Sequence, residues 1–400
     1  MRLPLLLILP LLILNALVDW YICRAVWRRC RRGASFWRPA SLWSSVAFAV
    51  YFIVLILWPK RQGDNAQLLG LMWALYAYFS VYIPKYVFVI LDLIGKIPAL
   101  WRSRRLPGST AVASGAALLV FAVMWWGALI NRYSLDVNEI DVEIPGLPSS
   151  FDGMRVVQIS DLHVGSFGEN TAFVEKLVSK INSLEPDIIV FTGDLVNRRT
   201  DEALPFKEAL SRLRAPFGVY SILGNHDYGD YYAWDTPEDK VRNMDMMKEL
   251  QAAIGWKLLN NATEILSAGP DSIALIGVEN IGDPPFPVYG DLEEAYPGDL
   301  ADGMPKILLS HNPAHWEDDI ADSPDKNIAL TLSGHTHAMQ IELLGWSPAV
   351  FRYDKWGGLY TDSDGSHSMY VNIGDGEVGI PARIGATPEI TVITLQAARK

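Results

Sequence analysis

The sequence predicts an α/β domain carried behind a membrane-spanning helical region, and three observations lead there. Apolar runs of bilayer length crowd the first 132 residues, and strand-like and helix-like periods alternate after about residue 153. The strand-like runs then end in His, Asp and Asn. Composition divides the chain at the same place. Residues 1–132 hold 15 Lys and Arg against 3 Asp and Glu, whereas the remainder holds 19 against 42, of chain totals of 34 and 45. With one domain per about 150 residues as a guide, three segments are expected: a transmembrane region at 1–132, a linker and edge strand at 133–152, and an α/β domain at 153–400.

A membrane helix needs about 20 apolar residues. Spans are expected at 3–22, 42–58, 68–91 and 111–130. A cleaved signal peptide fits the first run poorly, because the run is long, begins with a single Arg2 and is followed by a basic cluster with no small-residue cleavage site. Arg24, Arg28, Arg29, Arg31, Arg32 and Arg38 fill the first loop, and Lys96, Arg102, Arg104 and Arg105 the third; the second has Lys60 and Arg61 beside Asp64. The positive-inside rule makes the first and third loops cytoplasmic. An integral protein of the cytoplasmic membrane, with everything after residue 132 outside the cytoplasm, is therefore expected. Trp20, Tyr21, Trp58, Trp125, Trp126 and Tyr133 suit the interfaces. Asp19, Lys85 and Asp92 lie within or near span ends, not as a mid-depth charge cluster of the kind a transport path uses. Both cysteines, Cys23 and Cys30, precede residue 132, so thiol ligation, thiol nucleophiles and disulfides are excluded afterwards.

Residues 133–153 alternate apolar and acidic positions before a turn at Pro145, Gly146 and Pro148, the pattern of a half-buried strand. Strands are then predicted at 155–160, 187–192 and 219–223, each followed by a helix, at 170–184, 202–213 and 237–254. Further strands are expected at 257–259, 264–266, 273–278, 306–309, 328–332, 369–373 and 390–395. Open α/β sheets present ligands beyond the carboxyl ends of strands. Those ends carry Asp161 and His163, then Asp194, then Asn225, His226 and Asp227, then His311, then His335 and His337.

Five of the chain's seven histidines fall in these blocks. Singly, each block has an ordinary explanation, Asp161 and Asp194 as caps or turn formers and Gly224-Asn225 as a turn. Together they assemble imidazole and oxygen donors without thiolate, a set suited to Mn, Fe or Zn. Seven donors exceed one tetrahedral ion and suit two. His315 and His367 are expected to be ordinary surface or supporting residues.

The ordered blocks Asp161-Leu-His163, Gly193-Asp194, Gly224-Asn225-His226-Asp227, His311 and Gly334-His335-Thr336-His337 resemble the calcineurin-like metallophosphoesterase family, in its membrane-anchored branch. The resemblance covers about residues 153–397 and implies a four-layer α/β/β/α sandwich with two divalent metal ions. By it, one ion would be held by Asp161, His163, Asp194 and His337, and the other by Asp194, Asn225, His311 and His335, with Asp194 bridging. His226 would be the catalytic proton donor near the leaving oxygen, and Asp227 would orient it. Paired ions of this type activate a water for attack on phosphorus.

The expected activity is that of a phosphodiesterase-type phosphoester hydrolase, with a lipid-linked substrate suggested by Tyr228, Tyr231, Tyr232 and Trp234, by Pro284 to Pro287 with Tyr289 and Tyr296, and by Leu343, Leu344, Trp346, Phe351, Tyr353, Trp356 and Tyr360 near the blocks. An acidic domain with no Lys and Arg cluster beyond Arg198-Arg199 excludes nucleic acid as the expected partner. Arg383 is expected on the substrate side, and acidic Asp375 and Glu377 to face away from a phosphate. The alternatives are a UDP-2,3-diacylglucosamine-type pyrophosphatase, which requires a cytoplasmic domain, a transporter with an accessory hydrolase, and a metal-binding membrane protein without turnover.

Overall fold

The computed structural model describes residues 5–29, 34–59, 61–99, 106–283, 286–296, 303–321, 327–363 and 365–398. Cys30, Arg31, Arg32, Lys60, Arg102, Arg104, Arg105, Pro284 and Pro285, and the start of the first expected span, lie outside them. The chain forms two compact units, Met1–Leu129 and Ile130–Lys400.

Among the described residues the first unit contains four long helices: α1 (Leu5–Arg29), α2 (Ala34–Leu57), α3 (Asn65–Ile94) and α4 (Ser109–Leu129). Among the described residues three stretches are long and apolar enough to cross a membrane, Pro39–Leu57, Asn65–Ile94 and Ser109–Tyr133, and α1 is the fourth long helix. The charges flagged in the sequence are paired. Lys85 on α3 lies 2.8 Å from Asp19 on α1, with the Tyr82 hydroxyl donating to the same carboxylate at 3.0 Å. Asp92 accepts from Tyr21 and Thr110 and pairs with Lys96 at 2.9 Å. Neutral pairs of this kind are how ionisable groups persist among apolar helices.

The second unit is built on two six-stranded sheets. The first has the order β1-β12-β2-β3-β4-β5, from β1 (Asp136–Ile144), β2 (Arg155–Ile159), β3 (Ile188–Phe191), β4 (Val219–Ser221), β5 (Trp256–Leu258) and β12 (Glu389–Ala397). The second runs β10-β11-β9-β8-β7-β6, from β6 (Ala262–Ala268), β7 (Asp271–Gly277), β8 (Lys306–Leu309), β9 (Ile328–Ser333), β10 (Gly358–Thr361) and β11 (Ser368–Val371). Period-2 alternation sends neighbouring side chains to opposite faces. Val156, Ile188 and Val190 meet Ile307, Leu309, Leu330 and Leu332 between the sheets. Val157, Ile189 and Phe191 instead pack under α5 (Ala172–Ser183) and later Met247 and Leu250. On the far side, Ile276, Leu308 and Ile328 pack against Leu292 and Trp316. The four α/β/β/α layers follow from these three apolar seams.

Most predicted strands appear within a residue or two, with the edge strand β10 added. The helix expected at 202–213 is instead a 3₁₀ segment, Thr200–Phe206, followed by the single turn α6 (Lys207–Leu210). Pro205 interrupts it, having no N–H to give and crowding the preceding turn. Proline has the opposite role in α7 (Pro237–Ala253), where it occupies the first turn behind a Thr236–Asp239 capping box. Among the described residues the unit also has two short helices, α8 (Leu292–Ala295) and α9 (Ala314–Asp319).

Candidate metal centre

The loops that leave β2, β3 and β4 of one sheet and β8 and β9 of the other carry every expected ligand. Five of these residues hold left-handed backbone: Asp161 at φ 53°, His163 at 40°, Asp194 at 63°, His335 at 76° and His337 at 52°. Such conformations are uncommon for residues other than glycine, each adds on the order of 1 kcal/mol of strain, and they gather at functional sites. Gly193 and Gly334 make room for them. A methyl at 193 would meet the Gly224 backbone and the His311 ring, and one at 334 would overlap the Ser160 hydroxyl and the Asp161 carboxylate.

Two clusters result. In the first, His337 Nε2 lies 3.1 Å from His163 Nε2 and 3.2 Å from Asp161 Oδ1. In the second, His311 Nε2 lies 3.3 Å from His335 Nδ1 and 3.2 Å from Asn225 Oδ1. Asp194 Oδ2 sits between them, 3.5 Å from His163 Nε2 and 3.3 Å from His311 Nε2, while its other oxygen accepts the His226 backbone N–H at 2.8 Å. Asp161, His163 and His337, and likewise Asp194, His311 and His335, each offer ligand atoms within 4.8 Å of one another.

The donor set fits divalent cations. His163 Nδ1 faces the Val196 carbonyl at 3.1 Å and His311 Nδ1 the Thr192 carbonyl at 2.7 Å, which fixes their tautomers and leaves Nε2 bare in the neutral ring. Burial drives the His163 and His335 imidazoles down to about 3, and His337 well below its usual value, so all three present lone pairs. At His311 burial also lowers the pKa, but the Asp194 charge outweighs it and lifts the ring to about 9. Asp194 is raised by burial and lowered more strongly by His311 and His226, so it stays ionised. Convergent lone pairs with a shared carboxylate are what a pair of cations would satisfy.

His226 is near but apart. Its Nδ1 faces the Asn197 carbonyl at 2.6 Å, its ring stacks on Tyr231 with centroids 4.2 Å apart, and it stands edge-on to His163 at 4.8 Å. Asp227 does not orient it. The fully buried Asp227 carboxylate accepts the backbone N–H groups of Asp194, Leu195, Val196 and Gly224 at 2.8–3.2 Å, so its lone pairs are committed to shaping the two ligand loops. The Asn197 carbonyl has the orienting role.

Burial decides three other readings: it overturns the substrate-side one for Arg383 and the surface one for His315 and His367, and it does not contradict the expectation that Asp375 and Glu377 face away from a phosphate. Arg383 is 0% exposed: it donates to the carbonyls of Gly376 at 2.6 Å, Ile373 at 3.0 Å and Ala386 at 3.2 Å and reaches His337 Nδ1 at 3.2 Å, so it supports the centre from behind and does not meet substrate. Asp375 and Glu377 are buried in the same layer, with Glu377 ion-paired to Arg132. Burial raises the Asp375 carboxyl well above its usual value and Glu377 to about 7, against the lowering pull of Arg383 and, at Glu377, of Arg132. His315 and His367 are core residues, bonded to Ser310 Oγ at 2.8 Å and the Ile328 carbonyl at 2.7 Å.

Tyr231 and Tyr353, expected only among lip aromatics, are supporting groups. Tyr231 accepts from Asn225 Nδ2 at 2.9 Å, which turns the amide oxygen toward His311; the Tyr353 hydroxyl lies 3.1 Å from His335 Nε2. Tyr228 stacks on Tyr289 at 4.0 Å as core. Their positions after the histidine blocks were visible in sequence, but no spacing rule separates such a support from a lip.

Comparison with known proteins covers both units. Residues 154–339 match the family model "Calcineurin-like phosphoesterase", and residues 1–132 match "Probable Calcineurin-like phosphoesterase, transmembrane domain". A Danio rerio "Transmembrane protein with metallophosphoesterase domain" is 34% identical over 334 residues, 78% of this chain and 70% of that one. The Bacillus subtilis metallophosphoesterase YkuE is 30% identical over 307 residues, covering 74% and 98%. A Chlamydia trachomatis UDP-2,3-diacylglucosamine pyrophosphatase, LpxG, is 30% identical over 306 residues, covering 63% and 86%. The chain accordingly belongs to the calcineurin-like phosphoesterases, as an integral membrane, metal-dependent phosphoester hydrolase.

Proposed function

We propose that residues 153–400 form the catalytic domain of a phosphodiesterase-type enzyme whose substrate is a lipid-linked phosphoester, with 1–132 as its membrane anchor and 133–152 as linker and edge strand. One observation carries the assignment of the site: Asp194 Oδ2 is shared, at 3.5 and 3.3 Å, between the two imidazole clusters. Asp161, His163, Asp194 and His337 would hold one divalent ion, and Asp194, Asn225, His311 and His335 the other. When bound, such a pair neutralises phosphoryl oxygens and lowers the pKa of a coordinated water.

The remaining steps belong to the chain. With its Nδ1–H committed to the Asn197 carbonyl, His226 leaves Nε2 to face the departing oxygen, and the protonated ring would deliver its Nε2 proton there. Tyr231, stacked on the ring, holds that geometry while fixing the Asn225 amide. Arg383 keeps His337 in place from the buried side.

Support for a lipid-linked substrate comes from the integral anchor, from exposed apolar side chains near the site, and from a relative named as a UDP-2,3-diacylglucosamine pyrophosphatase. That relative also supports a second reading, the same pyrophosphatase reaction here. The basic first and third loops support a domain outside the cytoplasm, whereas the second reading needs it inside. Reporter fusions after residue 140 decide between them: activity of a periplasm-dependent reporter supports the first, and a cytoplasm-dependent reporter the second. Turnover is tested on the purified full chain with nitrophenyl diesters, monoesters and bilayer-embedded phosphodiesters; no hydrolysis of any of them with Mn, Fe or Zn supplied would leave only a metal-binding role.

A further inference from the structure

The loop joining the last two expected ligands to the rest of the domain does something its neighbours do not. It leaves His337 through four successive left-handed residues, His337 to Gln340, with φ between 47° and 59°. It then forms a two-residue hairpin in which Leu343 and Trp346 exchange backbone hydrogen bonds at 2.8 and 3.1 Å, with Leu344 and Gly345 at its tip, both at positive φ. The chain returns through Phe351 to Tyr353, whose hydroxyl faces His335. From Leu343 to Phe351 there is no charged side chain.

Leu344 is 99% exposed, Phe351 82% and Leu343 70%, with Trp346 half exposed and packed edge-on to Phe351. Clustered large apolar groups on a soluble surface mark a binding site. A tryptophan beside leucine and phenylalanine is the composition that settles at a membrane interface.

The course of the chain bears on which surface would cover them. Residues 130–133 open this unit and close the stretch Ser109–Tyr133, which is long and apolar enough to cross a membrane and would leave it here. Asn131 Nδ2 donates to the Arg383 carbonyl at 3.0 Å, and Thr387 Oγ1 donates back to Asn131 at 3.1 Å. The next residue, Ile384, bonds to the Gln340 carbonyl and accepts from the Glu342 N–H, both at 2.8 Å. Two hydrogen-bonded steps therefore connect the point of membrane exit to the base of the hairpin. A contact on a chain already tethered needs little affinity of its own, because the tether supplies a high effective concentration.

We propose that the Leu343–Phe351 hairpin is a bilayer-inserting tip that docks the mouth of the metal centre at the headgroup level. The occupant is the lipid surface itself, entered to a depth of about 5–10 Å. The proposal deepens the lipid-linked reading above and rests on it only for its consequence for substrate. Both ends of the loop are anchored at site histidines, so a tip held in lipid fixes the height of the centre above the membrane.

The test uses the full chain in lipid nanodiscs, with Cys23→Ser and Cys30→Ser as background and a single cysteine at Leu344→Cys or Phe351→Cys, labelled with a nitrobenzoxadiazole dye. Val241→Cys, on an exposed position of α7, is the control. Doxyl-phosphatidylcholine should quench the dye at 344 and 351 about twofold or more and leave 241 unchanged. Quenching at 344 and 351 no greater than at 241 would overturn the proposal, as would a blue shift at 344 that doxyl lipid does not touch, since a protein partner would then cover the tip. The double variant Leu343→Asp with Leu344→Asp should lose about tenfold or more in turnover of a bilayer-embedded phosphodiester while keeping that of soluble bis(nitrophenyl) phosphate. Quenching without any hydrolysis of lipid esters would uphold the tip and refute the lipid-linked substrate.

Discussion

Arg383→Met separates a supporting role for this arginine from a substrate-binding one. The guanidinium is wholly buried, gives three carbonyl bonds of 2.6, 3.0 and 3.2 Å, and lies among Asp375 and Glu377 with His337 at 3.2 Å. Methionine matches much of its length but none of its donors. Removing one partner of a buried charge network costs about 3–5 kcal/mol. Glu377 keeps Arg132, which holds the loss inside that range. For a unit of this size each kcal/mol lowers Tm by about 2–4 °C, so the variant should melt about 6–20 °C lower. Intrinsic-fluorescence melting of the full chain in detergent measures this. Arg383→Lys, which keeps charge but not the planar fork, should fall between. A Tm within about 2 °C of the parent together with a raised KM would refute the buried-support reasoning and restore the arginine to the substrate side.

Other perturbations report on separate parts of the site. His226→Ala should retain bound metal and lose about 10²-fold or more in kcat, read by metal analysis beside steady-state kinetics. Gly334→Ala should cost about 1–3 kcal/mol and weaken metal binding, because the added methyl displaces the Ser160 hydroxyl and the Asp161 carboxylate; unchanged metal affinity by competition with a chelating dye would contradict it. The metal-free protein should lose stability as pH rises. His311 is lifted from 6.5 to about 9 in the fold, so the proton it holds stabilises the folded state fully below 6.5 and progressively less up to about 9. Tm of the chelated protein should fall across that window, and metal-loaded protein, in which the ion replaces the proton, should not share the decline.

Sequence made the candidate ligands legible because each sits where a β-branched run stops and a polar residue begins, and because histidine is rare enough in this chain for five to be informative. The strands were legible for the same reason. Local pattern failed where tertiary context decided. Asp227 adjoins His226 in sequence yet spends both oxygens on four loop N–H groups, a role that depends on the path of residues 194–196. Arg383 carries no mark distinguishing a buried cation from a surface one until Asp375, Glu377 and the carbonyls of its own loop surround it. The helix from 202 broke at a proline whose effect is local, and that one was readable. Left-handed backbone at five non-glycine ligand positions had no sequence signal, since it is imposed by strands that meet from two sheets.

Metal content of the purified full chain, measured by plasma mass spectrometry in the parent and in Asp194→Ala, bears most directly on a carboxylate shared between two clusters. Two divalent ions per chain in the parent and none in the variant are expected, because Asp194 Oδ2 faces both His163 and His311. One ion retained by Asp194→Ala, or no metal bound by a folded parent, would contradict it.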